Sequence, residues 1–342
     1  MSTPTPYLDP LNQAFADQLA NQPPLQDLSV EQIRKLLDDL QKHTSDPNVT
    51  RTSFTVPFEN GVKTYIFRPK GAKGILPVIF FFHGGGWKTG NVNTHDSTCR
   101  DLALQTGYAV VFPEYTLAPE ARYPTQQEEC YAVVKWVHKY GGSKLLSQNV
   151  FSIVGDSAGG QLTGAVSILC STRKPFIPIR YQVLISPVTD TITSDRDTKS
   201  EFDFFNGPFL TVPFTRQSVE DYIPNPDDRT NELATLRNIS VAHAKKQPST
   251  LIINSAADPL RDDGILYGEI LQRAGVDCTI VIGHGQLHDS LVFEALRGSA
   301  TPKAMVRLMA AQIKNASEDV GAQKAAEIET EEEPSRKRRR RH

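Results

Sequence analysis

Apolar residues along this chain fall into two rhythms. Short, mostly apolar runs at Pro77–Phe82, Gly107–Phe112, Val150–Val154, Tyr181–Ser186, Thr250–Asn254 and Cys278–Ile282 predict strands, with Pro77–Phe82 buried on both faces and Gly107–Phe112 another buried strand. Between them, Pro124–Tyr140 and Gln161–Ser171 carry apolar positions at helical spacing. Ahead of these, 51–58 and 62–69 read as a hairpin around Glu59-Asn60-Gly61, a strong turn signal. Two helices, over 9–20 and 29–43, open the chain. The second starts on the capping-box pattern Ser29-Val30-Glu31-Gln32, and Ile33, Leu36, Leu37 and Leu40 mark its apolar face. Buried strands that alternate with helices predict an α/β fold whose central sheet is mostly parallel and flanked by helices.

Two stretches break the alternation. Residues 190–246 carry Phe202, Phe204, Phe205, Phe209, Phe214 and Tyr222 among polar residues and prolines, over a span too long for a loop in a compact domain. From Ser317 onward Ala and Glu dominate, and the chain then turns to Arg336-Lys337-Arg338-Arg339-Arg340-Arg341. So much charge with so little apolar content cannot offset the entropy of ordering, so disorder is expected. The basic run suits a nuclear-import signal, an anionic-surface patch or a solvated tail without a role.

Composition narrows the class. The chain has 342 residues, 39% of them hydrophobic, enough for one sizeable core with a smaller appended cap. A net charge of −2 argues against nucleic-acid binding by the folded body. Cys99, Cys130, Cys170 and Cys278 are widely spaced and form no CxxC pair, as expected of free buried thiols in a reducing compartment. No stretch approaches the roughly 18 apolar residues of a membrane span. The three glycosylation sequons, at Asn48, Asn238 and Asn315, stand without a secretory signal. A cytoplasmic location follows, with the nucleus as the alternative set by the basic run.

The chemistry concentrates at strand ends. Gly155-Asp156-Ser157-Ala158-Gly159 is a GxSxG pattern between a predicted strand and a predicted helix. Such a turn is strained and needs small residues on both sides of the serine, which it holds out at the top of the sheet. The amide of Ala158, at the helix start, is then free to stabilise negative charge. The run Pro77–Phe82 ends in His83-Gly84-Gly85-Gly86-Trp87, whose glycines let backbone N–H groups approach a ligand. A serine needs a base, and the base an orienting group. Asp258 follows the strand Thr250–Asn254, and His284 and His288 are both expected in the loop after Cys278–Ile282. The local pattern favours His288 as base, with His284 as its competitor.

HGGGW at 83–87, EYTLAPE at 114–120, GDSAGGQL at 155–162, DPLRDDG at 258–264 and a late histidine resemble the hormone-sensitive lipase family of α/β-hydrolases, over about residues 55 to 313. The resemblance implies an α/β-hydrolase fold with a helical cap and a triad of Ser157, Asp258 and His288. It implies an oxyanion hole of Gly85, Gly86 and Ala158, with Gly84 shaping the turn. The expected boundaries are 1–50 for N-terminal cap helices, 51–189 and 247–315 for the core, 190–246 for the cap insertion, and 316–342 for a disordered charged tail.

The implied activity is that of a serine carboxylesterase. Its substrates would be short- to medium-acyl or acetyl esters of small molecules, cleaved through an acyl-enzyme with no metal and no cofactor. An acyltransferase or a pathway-specific esterase on the same scaffold, and a non-catalytic receptor, are the alternatives. The retained Ser157, Asp258 and His288 weigh against the receptor. Two departures from the family pattern stand out. Glu114 and Thr116 replace the usual Asp and Arg. Asp289-Ser290 follow His288, where Gly-Phe is usual, and add polarity beside the base.

Overall fold

In the computed structural model, residues 6–193 and 198–318 are described. Eight strands form one sheet: β1 Val49–Val56, β2 Val62–Pro69, β3 Leu76–Phe82, β4 Ala109–Pro113, β5 Leu146–Asp156, β6 Tyr181–Ile185, β7 Ser249–Ala257 and β8 Cys278–Leu287. Their order across the sheet is β1-β2-β4-β3-β5-β6-β7-β8. The β1–β2 hairpin and the β2–β4 pair are antiparallel, and every pair from β4 to β8 is parallel. The expected α/β-hydrolase architecture is the one observed.

Alternation along β3 shows how the sheet organises the core. Val78, Phe80 and Phe82 join the apolar cluster on one face, while Ile79 and Phe81 join that on the other. Successive strand side chains point to opposite faces, so a strand covered on both sides is apolar throughout. The first face is covered by α4 (Thr125–Tyr140) and α5 (Ala158–Thr172), and the second by α3 (Asp96–Thr106) and a helix over 300–318. Fully burying one such Phe stabilises the fold by roughly 1.5–3 kcal/mol. The last helix runs to residue 318, and Ala316 packs against the core, so residues 316–318, expected in the tail, are part of this helix. The rest of the expected tail, with the basic run 336–341, lies outside the described residues.

At the N-terminus, α1 spans Pro10–Leu19 and α2 spans Val30–Leu40, and the Ser29–Gln32 capping box is formed. Residues 190–246 hold short helices at Lys199–Asp203, Val212–Tyr222 and Val241–Ala244. Its aromatics divide. Phe209 and Phe214 face the cavity above β5, Phe204 packs with Phe15, and Tyr222 stacks on Trp87 at 4.3 Å. Phe202 and Phe205 are exposed.

One local expectation is corrected. The strand predicted to end at Ile282 continues to Leu287, because β8 keeps pairing with β7 as far as Ala257–Leu287, across an irregularity at Ser255–Ala257. Gly283 and Gly285 lie inside this strand. His284 is therefore an exposed strand residue, and only His288 sits in the turn that follows.

Candidate active site

Ser157 stands at the junction of β5 and α5 with φ 52° and ψ −118°, a conformation that non-glycine residues adopt only under strain. Its neighbours must be small for packing reasons. A Cβ on Gly159 would collide with the backbone carbonyl of Phe82 at the end of β3. The turn is clamped to the next strand by Ser157 N–H donating to Ile185 O at 2.8 Å and by Val188 N–H donating to Ser157 O at 3.1 Å.

His288 lies in the turn after β8, and its Nε2 is 3.0 Å from Ser157 Oγ. Nδ1 is 2.7 Å from Asp258 Oδ2, and Asp258 Oδ1 accepts from Leu260 N–H at 2.9 Å. Asp258 is fully buried at the end of β7. The structure thus brings Ser157, His288 and Asp258 into one hydrogen-bonded line and leaves His284 outside it. Burial opposes charge on His288, but the carboxylates of Asp258 and Asp289 outweigh it and hold its proton well above the usual imidazole range.

The glycine loop after β3 forms the facing wall. Gly84, Gly85 and Gly86 line the cavity with Ser157, and Ala158 opens α5 beside them. Gly85 has φ +108°, and a Cβ there would strike Thr89, so only glycine fits. Among the described residues the amides of Gly85 and Gly86 have no acceptor, which leaves them free to bind one from a ligand. His83 braces the loop. Its Nδ1 lies 2.8 Å from Gly84 O, its ring stacks on Tyr115 at 4.2 Å, and burial lowers its pKa to about 3, so it is neutral. From α2, Arg34 donates to the carbonyls of Lys88 and Ala118 and forks onto Glu120 at 2.7 and 2.8 Å. Buried Lys88 in turn pairs with Asp221 of the 190–246 segment at 2.8 Å.

Several buried polar residues near the site escape motif reading. His95 Nε2 is 3.2 Å from Asp156 Oδ2. Burial disfavours charge on His95, yet Asp156 more than compensates and its pKa is raised. Asn12 of α1 accepts from Leu287 N–H at 2.9 Å, and Gln41 Oε1 accepts from Glu294 N–H at 2.8 Å while its Nε2 donates to Val292 O at 3.2 Å. These two side chains hold the histidine-bearing turn. No sequence spacing ties either side chain to residues 287–294. Thr116, at the first departure from the family pattern, gives its N–H and Oγ1 to the buried carboxylate of Glu129 at 2.6 and 2.8 Å.

The cavity over Ser157 is narrow, with a volume of about 70 Å³. Leu25, Ile33 and Leu37 from the N-terminus and Phe209, Leu210 and Phe214 from the insertion cover it. Among the described residues, no group of three or more His, Cys, Asp or Glu is arranged to hold a metal ion. No helix among them is long and apolar enough to cross a membrane. All four cysteines are free and buried.

Comparison with known proteins places this geometry among ester hydrolases. A family model described as an alpha/beta hydrolase fold matches residues 79–292. An esterase of Fusarium pseudograminearum is 33% identical over 311 residues, which cover 90% of this chain and 95% of that protein. Among solved structures, carboxyl esterase 2 of Tuber melanosporum superposes with a TM-score of 0.83 at 32% identity, over 90% of this chain and 99% of its own. A thermostable esterase from Pseudomonas putida gives a TM-score of 0.86 at 30% identity, over 91% and 98%.

Proposed function

This chain belongs to the hormone-sensitive-lipase family of α/β-hydrolases and is a carboxylesterase-type enzyme, and on that premise we propose that it cleaves short- to medium-acyl esters of small molecules through an acyl-enzyme on Ser157. The observation that carries the reading is the line Ser157 Oγ, His288 and Asp258, at 3.0 and 2.7 Å. His288 Nε2 takes the proton as Ser157 attacks the ester carbonyl. Asp258 fixes the Nδ1–H tautomer and stabilises the imidazolium. The amides of Gly85, Gly86 and Ala158 bind the oxyanion, and one such donor is worth roughly 3 kcal/mol in the transition state. His288 returns the proton to the departing alcohol, and water then repeats the sequence on the acyl-enzyme.

Substrate size follows from the cap. A cavity of about 70 Å³ walled by Leu37, Phe209 and Phe214 has room for a small acyl group. Each methylene in an apolar site is worth only about 0.8 kcal/mol. Rejection of long chains must therefore come from the closed wall rather than from weak affinity.

The test has two arms. A fluorophosphonate label located by mass spectrometry is expected on Ser157, and an adduct on another serine would remove the assignment. A chain-length series of p-nitrophenyl esters is expected to peak at about two to eight carbons, consistent with a gain per methylene that a closed wall cuts off. Faster hydrolysis of emulsified long-chain triglyceride would show a lipase instead.

A further inference from the structure

The turn that carries His288 leaves the family pattern at its next residue, where Asp289 stands in place of the usual glycine. Its φ is +53°, in the left-handed region that glycine enters freely and other residues enter at a steric cost. The chain thus keeps an aspartate where the backbone favours glycine. Asp289 is buried and lines the cavity. Its Oδ2 is 3.1 Å from His288 Nε2, the same nitrogen that faces Ser157 Oγ at 3.0 Å. Oδ1 has no partner among the described residues, so the side chain's one polar contact is with His288.

We propose that Asp289 is a positioning residue for His288, which shares one proton with Nε2 in the resting enzyme and withholds that nitrogen from Ser157 until the proton leaves. The proposal rests on the reading of His288 as the base. The proton accounting is simple. If the shared proton sits on Nε2, the imidazolium has no lone pair with which to take a proton from Ser157. If it sits on Oδ2, the Asp289 hydroxyl donates to Nε2 and occupies that lone pair. The form able to act as base is the one from which this proton has passed to solvent. When the Ser157 proton then moves to Nε2, Asp289 faces an imidazolium and stabilises its charge.

The surrounding charges explain why the proton is held. Three carboxylates, Asp156, Asp258 and Asp289, meet three imidazoles, His83, His95 and His288. His83 is kept neutral by burial. His95 pairs with Asp156. His288 is left between two carboxylates, Asp258 on Nδ1 and Asp289 on Nε2. Among the described residues the cap places no cation on the cavity, its side being lined by Leu25, Ile33, Leu37, Phe209, Leu210 and Phe214. Burial lifts the Asp289 carboxyl to about 6, His288 pulls against that rise, and Asp156 and Asp258 add to it. The direction for His288 is upward, as described above, so the base becomes available only at higher pH.

The experiment is the pH profile of kcat/KM for p-nitrophenyl acetate with the parent protein, Asp289→Gly and Asp289→Asn. A neighbouring opposite charge shifts a pKa by about 1–3 units, so both variants are expected to move the acid limb down by about that much. The alkaline plateau should fall as the imidazolium loses a counter-charge. Glycine suits φ +53°, so Asp289→Gly should keep the parent's melting temperature. An acid limb that stays in place in that variant overturns the proposal, however far kcat changes. Should either variant fold poorly, the low-field Nδ1–H resonance of His288, followed against pH in full-length Ser157→Ala protein with and without Asp289→Gly, reads the same ionisation without turnover. An unmoved His288 titration there also overturns it. Loss of fluorophosphonate labelling from Ser157 in the parent would instead sink the triad reading, whereas intact labelling with an unmoved limb sinks only the role of Asp289.

Discussion

The two halves of the Ser157–His288–Asp258 hydrogen-bonded line are built in opposite ways. The serine half is local. Ser157 is positioned by Gly155, Ala158 and Gly159 within one strand–turn–helix unit, on a strand buried at the centre of the sheet. The histidine half is assembled from the chain's extremes. The turn at 288–294 follows the edge strand β8, and its backbone is satisfied by Asn12, 275 residues from Leu287, and by Gln41, 253 residues from Glu294. Asp9 adds a backbone bond to Gly285 O at 3.0 Å and a carboxylate contact to Gln286 at 2.8 Å. The proposed nucleophile can thus be carried by a short motif, while the proposed base depends on docking of both N-terminal helices. Ile33 and Leu37 of α2 cover the cavity, and Asn12 of α1 and Gln41 at the end of α2 hold the turn.

The comparison can be broken most sharply at the serine. Ser157→Ala is expected to lower kcat by about 10⁶-fold, as loss of a triad serine does in comparable enzymes, with the fold intact by circular dichroism. His288→Ala should cost about as much, because the two act as a unit. A His288→Ala protein that kept most of its turnover would place the base elsewhere.

A smaller effect separates the halves. Asn12→Ala leaves the buried Leu287 N–H without an acceptor, a cost of about 1–3 kcal/mol in stability. A displaced base is expensive for chemistry, so kcat should fall by about 10- to 100-fold. Gln13→Ala, one position along on the exposed side of α1, serves as the control and should change little. Steady-state kinetics and thermal melts of the pair decide the matter. Equal kinetics for Asn12→Ala and the parent would show that the histidine turn holds itself.

The smallest expected effect is at His284. Exposed on β8 and outside the hydrogen-bonded line, its replacement by alanine should leave kcat/KM near the parent's and stability within about 0.5 kcal/mol. A dead His284→Ala enzyme would contradict the geometry directly.

What could be read without coordinates follows from what is local. The runs that became β3 and β4 are apolar throughout and those that became β6 and β7 mostly so, because both of their faces are covered, and their boundaries were legible to within a few residues. The elbow around Ser157 and the glycines at 84–86 were legible because steric demand at a strained turn or a close approach admits few residue types. Asp258 and His288 could be ordered along the chain and placed at strand ends. Length and burial changed where pairing with a neighbour decided them. Strand β8 ran on through His284 because β7 offered partners as far as Ala257, which no pattern within 278–287 announces.

The sequence by itself determined the α/β alternation, the elbow and the triad candidates, since each rests on residue types within a few positions of one another. Only the tertiary structure decided that Asn12 and Gln41 hold the histidine turn, that Phe209 and Phe214 rather than Phe202 and Phe205 wall the cavity, and that Asp289 and Ser157 face the same nitrogen of His288. Those are contacts between segments far apart in the chain. Hydrogen bonding and burial select them only once the sheet has brought the segments together.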